Sequence, residues 1–303
     1  MILSQLAGAV AAHPLDGSST EWIWLVLVLP LLGACINGLI SAADEWVPGP
    51  YDPDAQHWGR GATGAHGEHL TGITDEMRTL VDEARDAGHV SVSGEVEVPV
   101  AAHAALADVS HGAKRHRWFL PVSLIGTSVM LAAFGLAIAI LLDMRAAAEA
   151  APFVREYFTW MEAGDLRLGA TLWLDQLSII MTLVITGVGA LIHLFSVGYM
   201  ARDAAYPRYF LYLNLFVFFM LLLVLGGSYP VLFVGWEGVG FCSYLLIGFW
   251  FGEKKNADAG KKAFIINRVG DLGFLIAMFL MFAHWRVLDF AGVQATVAAT
   301  APG

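Results

Sequence analysis

Five ionisable side chains stand where an apolar chain rarely puts them. Glu237 is the single charged residue of "VLFVGWEGVGFCSYLLIGFWF", residues 231–251. Lys262, Arg268 and Asp271 punctuate "KKAFIINRVGDLGF", residues 261–274, and His193 falls within "GVGALIHLFSVGYM". A charged group at mid-bilayer costs about 2.5–3.5 kcal/mol on insertion scales. It therefore needs a partner, a wet cavity or a proton. Arg268 and Asp271 are three residues apart, so on a helix they share a face and can pair. A chain of titratable groups at membrane depth is what a proton path requires. Burial and a neighbouring charge bring such groups toward working pH.

Each residue also has a plainer reading. Arg268–Asp271 as a static pair would only fix helix packing. His193 as a satisfied polar residue would do the same, and Lys262 would snorkel to the inner surface. Glu237 is the hardest to read as structural, because no basic residue lies on its own helix within two turns. Gly235, Gly238 and Gly240 around it would let neighbouring helices or water approach the carboxylate.

The elements that must position these groups are membrane spans. Hydrophobic residues make up 57% of the chain and charged ones 15%, and the mean hydropathy is +0.62. A soluble domain carries about 25% charged residues. Six runs approach or exceed the ~20 mostly apolar residues a bilayer demands: 22–41, 119–142, 176–200, 209–227, 230–251 and 262–283. None shows the short alternating segments of a membrane barrel, so the fold class is an all-α polytopic membrane protein of about six transmembrane helices. Nothing in residues 1–21 is basic, so the first run reads as a retained helix rather than a signal peptide. Cys35 and Cys242 both lie within spans and read as buried packing residues, with no disulfide framework or CxxC site.

Three parts follow: residues 1–41 with the first helix, a hydrophilic insertion over 42–118, and a five-helix membrane domain over 119–303. The insertion holds 13 Asp and Glu against 6 Lys and Arg, which is −7 of the net charge of −10. No basic patch with interleaved aromatics occurs, which excludes nucleic acid as a partner. Within the insertion, 74–88 has the pattern of an amphipathic helix and "HVSVSGEVEVPV" that of a small hairpin about Gly94. Seven of the ten histidines lie here (His57, His66, His69, His89, His103, His111 and His116), at spacings that match no metal-ligand motif. "FTWMEAGDLRLGATLWL" predicts a short β-hairpin turning at Ala163-Gly164-Asp165. Basic residues near span ends assign the insertion, 201–208 and 252–261 to the inner side. The N-terminus and the hairpin are then outside.

At this point the residues resemble a family. "FVGWEGVGFCSYLLIGFWF" and "KKAFIINRVGDLGFLIAMFLMF" are similar to the L-type antiporter-like subunit of respiratory NADH:quinone oxidoreductase (complex I), whose mitochondrial counterpart is subunit 5. So are "LDQLSIIMTLVITGVGALIHLFSVGYM", "YPRYFLYLNLFVFFMLLLVL" and "FTWMEAGDLRLG". The resemblance covers roughly residues 119–290 and the first span. It implies a membrane-arm subunit that takes part in proton translocation coupled to quinone reduction in the electron transport chain. The chain itself would hold no cofactor; NADH, FMN, iron–sulfur clusters and quinone would be bound by other subunits. Glu237 falls on the family's fifth-helix glutamate, Lys262, Arg268 and Asp271 on its sixth-helix charged motif, and His193 on its third-helix histidine. The implied partners are other membrane-arm subunits and the lipid bilayer of the cell's inner membrane.

Two departures qualify the resemblance. The family's first inner loop is short, whereas 42–118 is long. The family has about sixteen helices, whereas six are legible here, so a chain or segment with the missing helices is a further expected partner. The family's seventh-helix lysine is among what is missing, which leaves Glu237 without an obvious counter-charge. A multisubunit Na⁺/H⁺ antiporter subunit and a non-pumping membrane scaffold remain the alternatives.

Overall fold

The computed structural model describes residues 13–46, 116–147, 151–164, 166–201, 203, 205–251 and 254–300. After a 3-10 turn at Ser19–Trp22, α1 spans Ile23–Trp46 and α2 spans Phe119–Ala147. Strands β1 (Phe153–Ala163) and β2 (Leu166–Leu174) follow, then α3 (Gln176–Tyr199), α4 (Tyr206–Leu225), α5 (Tyr229–Ile247), α6 (Lys254–Trp285) and the short α7 (Phe290–Thr300). Six of these helices, α1 to α6, are long and apolar enough to cross a membrane. The amphipathic helix expected over 74–88, the hairpin about Gly94 and six of the insertion's seven histidines lie outside the described residues.

The distribution of side chains is that of a protein in lipid. Large apolar residues such as Leu39, Leu177, Phe195 and Val269 point outward, while Asn37, Ser123, Thr182, Thr186, His193 and Asn214 are buried. With lipid outside, apolar side chains gain little by turning inward, so small and polar residues pack the helix interfaces. Cys242 is buried as expected, but Cys35 is exposed on α1. Its face of that helix looks outward, where a thiol is as acceptable as an alkyl group.

Boundaries moved where local chemistry outweighs hydropathy. Helix α4 begins at Tyr206 because Pro207, in the first turn, needs no intrahelical donor and presets the helical backbone. Helix α5 stops at Ile247, with Gly248 as its cap. Helix α6 begins at Lys254, two turns before its apolar part, because charged residues sustain a helix as well as apolar ones do.

The hairpin closes as predicted. Ala163 pairs with Leu166, and Gly164 takes the turn with φ +58°, a region that costs glycine nothing. Phe153, Leu172 and Leu174 pack into the core with Ile23, Ile140 and Leu225, at the end of the bundle where α1 begins and α2 and α4 finish. The Gly227 amide donates to the Thr171 carbonyl at 2.8 Å, and the Tyr229 amide donates to Leu288 at 3.0 Å. The hairpin, the α4–α5 turn and the α6–α7 turn are thereby tied together. The hairpin also delivers the cap of α3. Asp175 accepts from the Ser178 amide at 2.8 Å, and Ser178 Oγ lies 2.7 Å from the Asp175 amide. Burial pushes the Asp175 carboxyl up, but hydrogen bonds from Ser178, Trp173 and Leu177 outweigh it and hold the group below the usual carboxylate range. The cap's stabilisation is thus complete above that range and is lost as pH falls through the lowered value.

At the opposite end, Asp44 joins the last turn of α1 to the entry of α2. It pairs with Arg117, lies 3.2 Å from His116, and accepts from the Trp118 indole at 3.1 Å. The chain thus leaves toward the insertion and returns at one clamped point. The clamp alone brings the two ends of the insertion together, so the membrane helices are expected to insert without it. Deleting residues 48–110 and joining the ends with a Gly/Ser linker should leave the protein in the alkaline-carbonate-resistant membrane fraction at the wild-type level. Its loss from that fraction would make the insertion part of the membrane fold.

Candidate functional site in the α5–α6 layer

Helix α5 is held on α4 by glycine. A Cβ at Gly238 would lie 2.1 Å from Phe219 Cδ1, and one at Gly235 would lie 2.5 Å from the Leu223 backbone nitrogen. Only residues without side chains allow this approach. It fixes the rotation of α5 and points Glu237 and Trp236 away from α4, toward α6. Gly240 meets nothing within 4 Å and takes no part in the contact.

Helix α6 brings its charged motif to that face. Arg268 Nη1 forms an ion pair with Glu237 Oε2 and stands 3.8 Å from Asp271 Oδ2. The side chain of Glu237 is 20% exposed and that of Asp271 9%, whereas Arg268 is 47% exposed. Asp271 Oδ1 accepts from the Trp236 indole N–H at 2.7 Å. Phe274 stacks on Phe233 and Trp236, and the guanidinium of Arg268 lies 4.7 Å from the Phe264 ring centre. One cation thus serves two carboxylates, and a tryptophan steadies the second. Glu237 Oε1 is buried without a hydrogen-bond partner among the described residues.

This geometry corrects the expectation that Glu237 lacks a counter-charge. Arg268, assigned from its spacing to Asp271, turns first to Glu237 on the next helix. The i,i+3 spacing shows which residues share a face of α6 but is silent on what packs against that face. Lys262 is exposed. Its i,i+6 offset from Arg268 turns it well off the Arg268–Asp271 face.

His193 lies elsewhere. It is fully buried on α3, with Nδ1 2.8 Å from the Gly189 carbonyl oxygen and its ring edge-on to Phe210 of α4. A carbonyl can only accept, so Nδ1 carries the proton and Nε2 presents a lone pair. Among the described residues no hydrogen bond of ordinary geometry reaches Nε2, Oδ1 of buried Asn214 or either side-chain polar atom of buried Asn37, although the Asn214 side chain is the polar neighbour of the His193 ring. Sequence reasoning missed these two asparagines and Trp236. The signal was available for Asn37 and Asn214, since an amide inside an apolar span needs a partner as a charge does. For Trp236 there was none, because an indole N–H at a span's centre is indistinguishable from apolar bulk.

Residues 160–210 match the family described as NADH-ubiquinone oxidoreductase (complex I), chain 5 N-terminus. Residues 227–301 match NADH:quinone oxidoreductase/Mrp antiporter, TM. The first match holds His193 and the second Glu237, Lys262, Arg268 and Asp271. Over 178 residues the chain is 51% identical to NADH-quinone oxidoreductase subunit L of Mycobacterium tuberculosis, covering 58% of this chain and 28% of that protein. Subunit L of Escherichia coli is 46% identical over 133 residues, 44% of this chain and 22% of that one. The NADH-ubiquinone oxidoreductase chain 5 of Metridium senile is 45% identical over 139 residues, 46% of this chain and 23% of that one. Among solved structures, the Mrp complex from Dietzia sp. superposes with a TM-score of 0.50 at 25% identity, over 60% of this chain and 19% of that one. The resemblance to the complex I subunit is borne out over these residues. The chain spans about a quarter of the length of the curated relatives it matches.

The cluster makes two energetic claims that can be separated. Removing one partner of a fully buried pair leaves an uncompensated charge, at about 3–5 kcal/mol, an upper bound here because Arg268 is half-exposed. Arg268→Gln should therefore lower the thermal unfolding temperature in detergent, and adding Glu237→Gln should recover most of the loss. Trp236→Phe keeps the stack on Phe274 but removes the donor to Asp271, and should cost about 1.5–3 kcal/mol. Unchanged unfolding of all three variants would mean that the α5–α6 contact rests on apolar packing alone.

Proposed function

We propose that this chain forms the amino-terminal part of a proton-translocating, antiporter-like subunit in the membrane arm of NADH:quinone oxidoreductase. One observation carries the reading. A glutamate, an arginine and an aspartate from two adjacent helices share charge at membrane depth, within residues that match the transmembrane part of that family. In this reading the redox chemistry, with its NADH, FMN, iron–sulfur clusters and quinone, belongs to other subunits. This chain contributes no electron carrier. The partners are the other membrane-arm subunits, the bilayer of the inner membrane, and the segment or chain with the remaining helices. The N-terminus and the hairpin face outside, and the insertion faces inside.

The arrangement supplies a way to change state. Arg268 stands between two carboxylates, bonded to Glu237 and 3.8 Å from Asp271. A small shift of the guanidinium toward Asp271 leaves Glu237 unpaired, and an unpaired carboxylate in an apolar site takes up a proton. The return of the guanidinium favours the anion and expels it. Trp236 holds Asp271 in place as the alternative acceptor. His193, with the Asn214 side chain as its polar neighbour, is a second proton site on the far side of α4, and Lys262 a relay at the inner edge.

A cation/proton antiporter is the second reading. The superposition on the Mrp complex and the joint description of the matched transmembrane family favour it. The two part on the ion that moves and on whether NADH oxidation drives it.

The test is Glu237→Gln in the assembled complex. The amide keeps size and hydrogen bonding but cannot exchange a proton. NADH:quinone electron transfer and subunit content should persist, while proton uptake into inverted vesicles, read with a pH-sensitive dye, should fall sharply per NADH oxidised. Undiminished uptake would remove Glu237 from the path. Sodium uptake independent of NADH would select the antiporter.

A further inference from the structure

A second pair of cations sits apart from the α5–α6 cluster, at the end of the bundle where α4 begins, α5 ends and α6 begins. A cavity of about 150 Å³ there is lined by Arg208, Tyr212 and Tyr244, by Phe249 and Phe251, and by Lys261. The guanidinium of Arg208 lies 5.1 Å from the Phe249 ring centre and 5.2 Å from that of Phe251. Its Nε and Nη2 are buried and have no hydrogen-bond acceptor among the described residues. The carboxylate of the α3–α4 turn does not supply one. Asp203 accepts from the Trp250 indole at 2.9 Å and from the Ala205 amide at 2.7 Å. Among the described residues Lys261 pairs with Asp258 alone, at 4.0 Å, with both groups exposed.

Buried donors of a charged group without an acceptor are costly. Two aromatic faces stabilise the positive charge but offer its N–H groups no in-plane acceptor. What fits is an anion with several oxygens, which a guanidinium fork and an ammonium can grip together. The cavity lies below the several hundred Å³ of a drug-sized site, so it takes a small headgroup rather than a whole ligand. Its place at the helix ends is headgroup depth in a bilayer. Exposed Ile247 and Phe251 beside it offer apolar surface to acyl chains. We propose that this pocket binds the phosphate of an anionic phospholipid, with Arg208 and Lys261 as its two cationic contacts. Neither the proton path nor the orientation of the chain enters this assignment.

The probe is palmitoyl-oleoyl phosphatidylglycerol, added to the delipidated 303-residue chain in detergent and followed by native mass spectrometry. Phosphatidylcholine and inorganic phosphate are run in parallel. Phosphatidylglycerol adducts should survive collisional activation that strips phosphatidylcholine. Arg208→Gln and Lys261→Gln should each weaken phosphatidylglycerol binding about fivefold, the worth of one basic residue at a membrane surface. Lys254→Gln, an exposed lysine outside the pocket, should not. Lys261 is exposed, so its variant reads the site even if Arg208→Gln fails to fold. Equal retention of both lipids, with the variants unchanged, would overturn the proposal. So would protection against unfolding by inorganic phosphate alone that matches the lipid's and is lost in the same variants, which would make this a soluble-anion site. A third overturning result is unchanged lipid binding in variants that lose association with another subunit, which would assign Arg208 to a protein carboxylate.

Discussion

The ion pair between Glu237 and Arg268 is the constraint on which the second half of the bundle depends. Placing either charge alone at membrane depth is unfavourable by a few kcal/mol, so neither helix can settle without the other. The rest of the layer serves that meeting. Gly235 and Gly238 bring α5 onto α4 and set its rotation. Phe233 and Trp236 stack on Phe274 and set the height of α6. Asp271, held by the Trp236 indole, keeps a second negative charge within reach of the same guanidinium. The pair is thus structural and poised at once. An arginine with one partner can only be made or broken, whereas one with two can be moved.

The order of the six long helices and the hairpin was legible in the sequence, with helix ends displaced by up to about two turns, and the reason is physical. In lipid every backbone polar group must be satisfied within the chain, so a long apolar run has few alternatives to helix. The hairpin was legible because Gly164 supplies a left-handed turn residue between Ala163 and Leu166, which pair. The candidate site was legible as a set of residues and illegible as a set of bonds. Spacing along α6 joins Arg268 to Asp271, but the rotation of α5 joins it to Glu237, and that rotation follows from glycine contacts with Phe219 and Leu223 on a third helix. No pattern within one span carries that information.

The same logic explains the buried amides. On α4, Phe210, Asn214, Val217 and Leu221 are buried, with Asn214 beside Gly33 of α1 and Phe210 beside His193 of α3. Phe219 and Leu223 lie on the opposite side of the helix, against the glycines of α5. Helix α4 therefore has two working faces, one wrapped by α1, α2 and α3 and one by α5. Its asparagine belongs to the first and has no sight of the charges behind the second.

That division limits how the two titratable regions can act together. A proton moves between groups over hydrogen-bond distances, and His193 and Glu237 have α4 between them. On the far face of α4, Phe219 and Leu223 pack closely against Gly238 and Gly235. A direct hop across the middle of α4 is opposed by that close packing and by the width of the helix itself. Any exchange must pass around the ends of α4 or through groups that flank it. On the His193 side, the buried polar side chains of Asn37, Asn214 and His193 itself are sites able to hold such a route open. On the Glu237 side, the open direction is the half-exposed face of Arg268. What the two regions share is α4, against which both pack. A change in the α5–α6 pair that altered the fit of Gly235 and Gly238 on α4 would reach His193 as a displacement of Phe210 and Asn214.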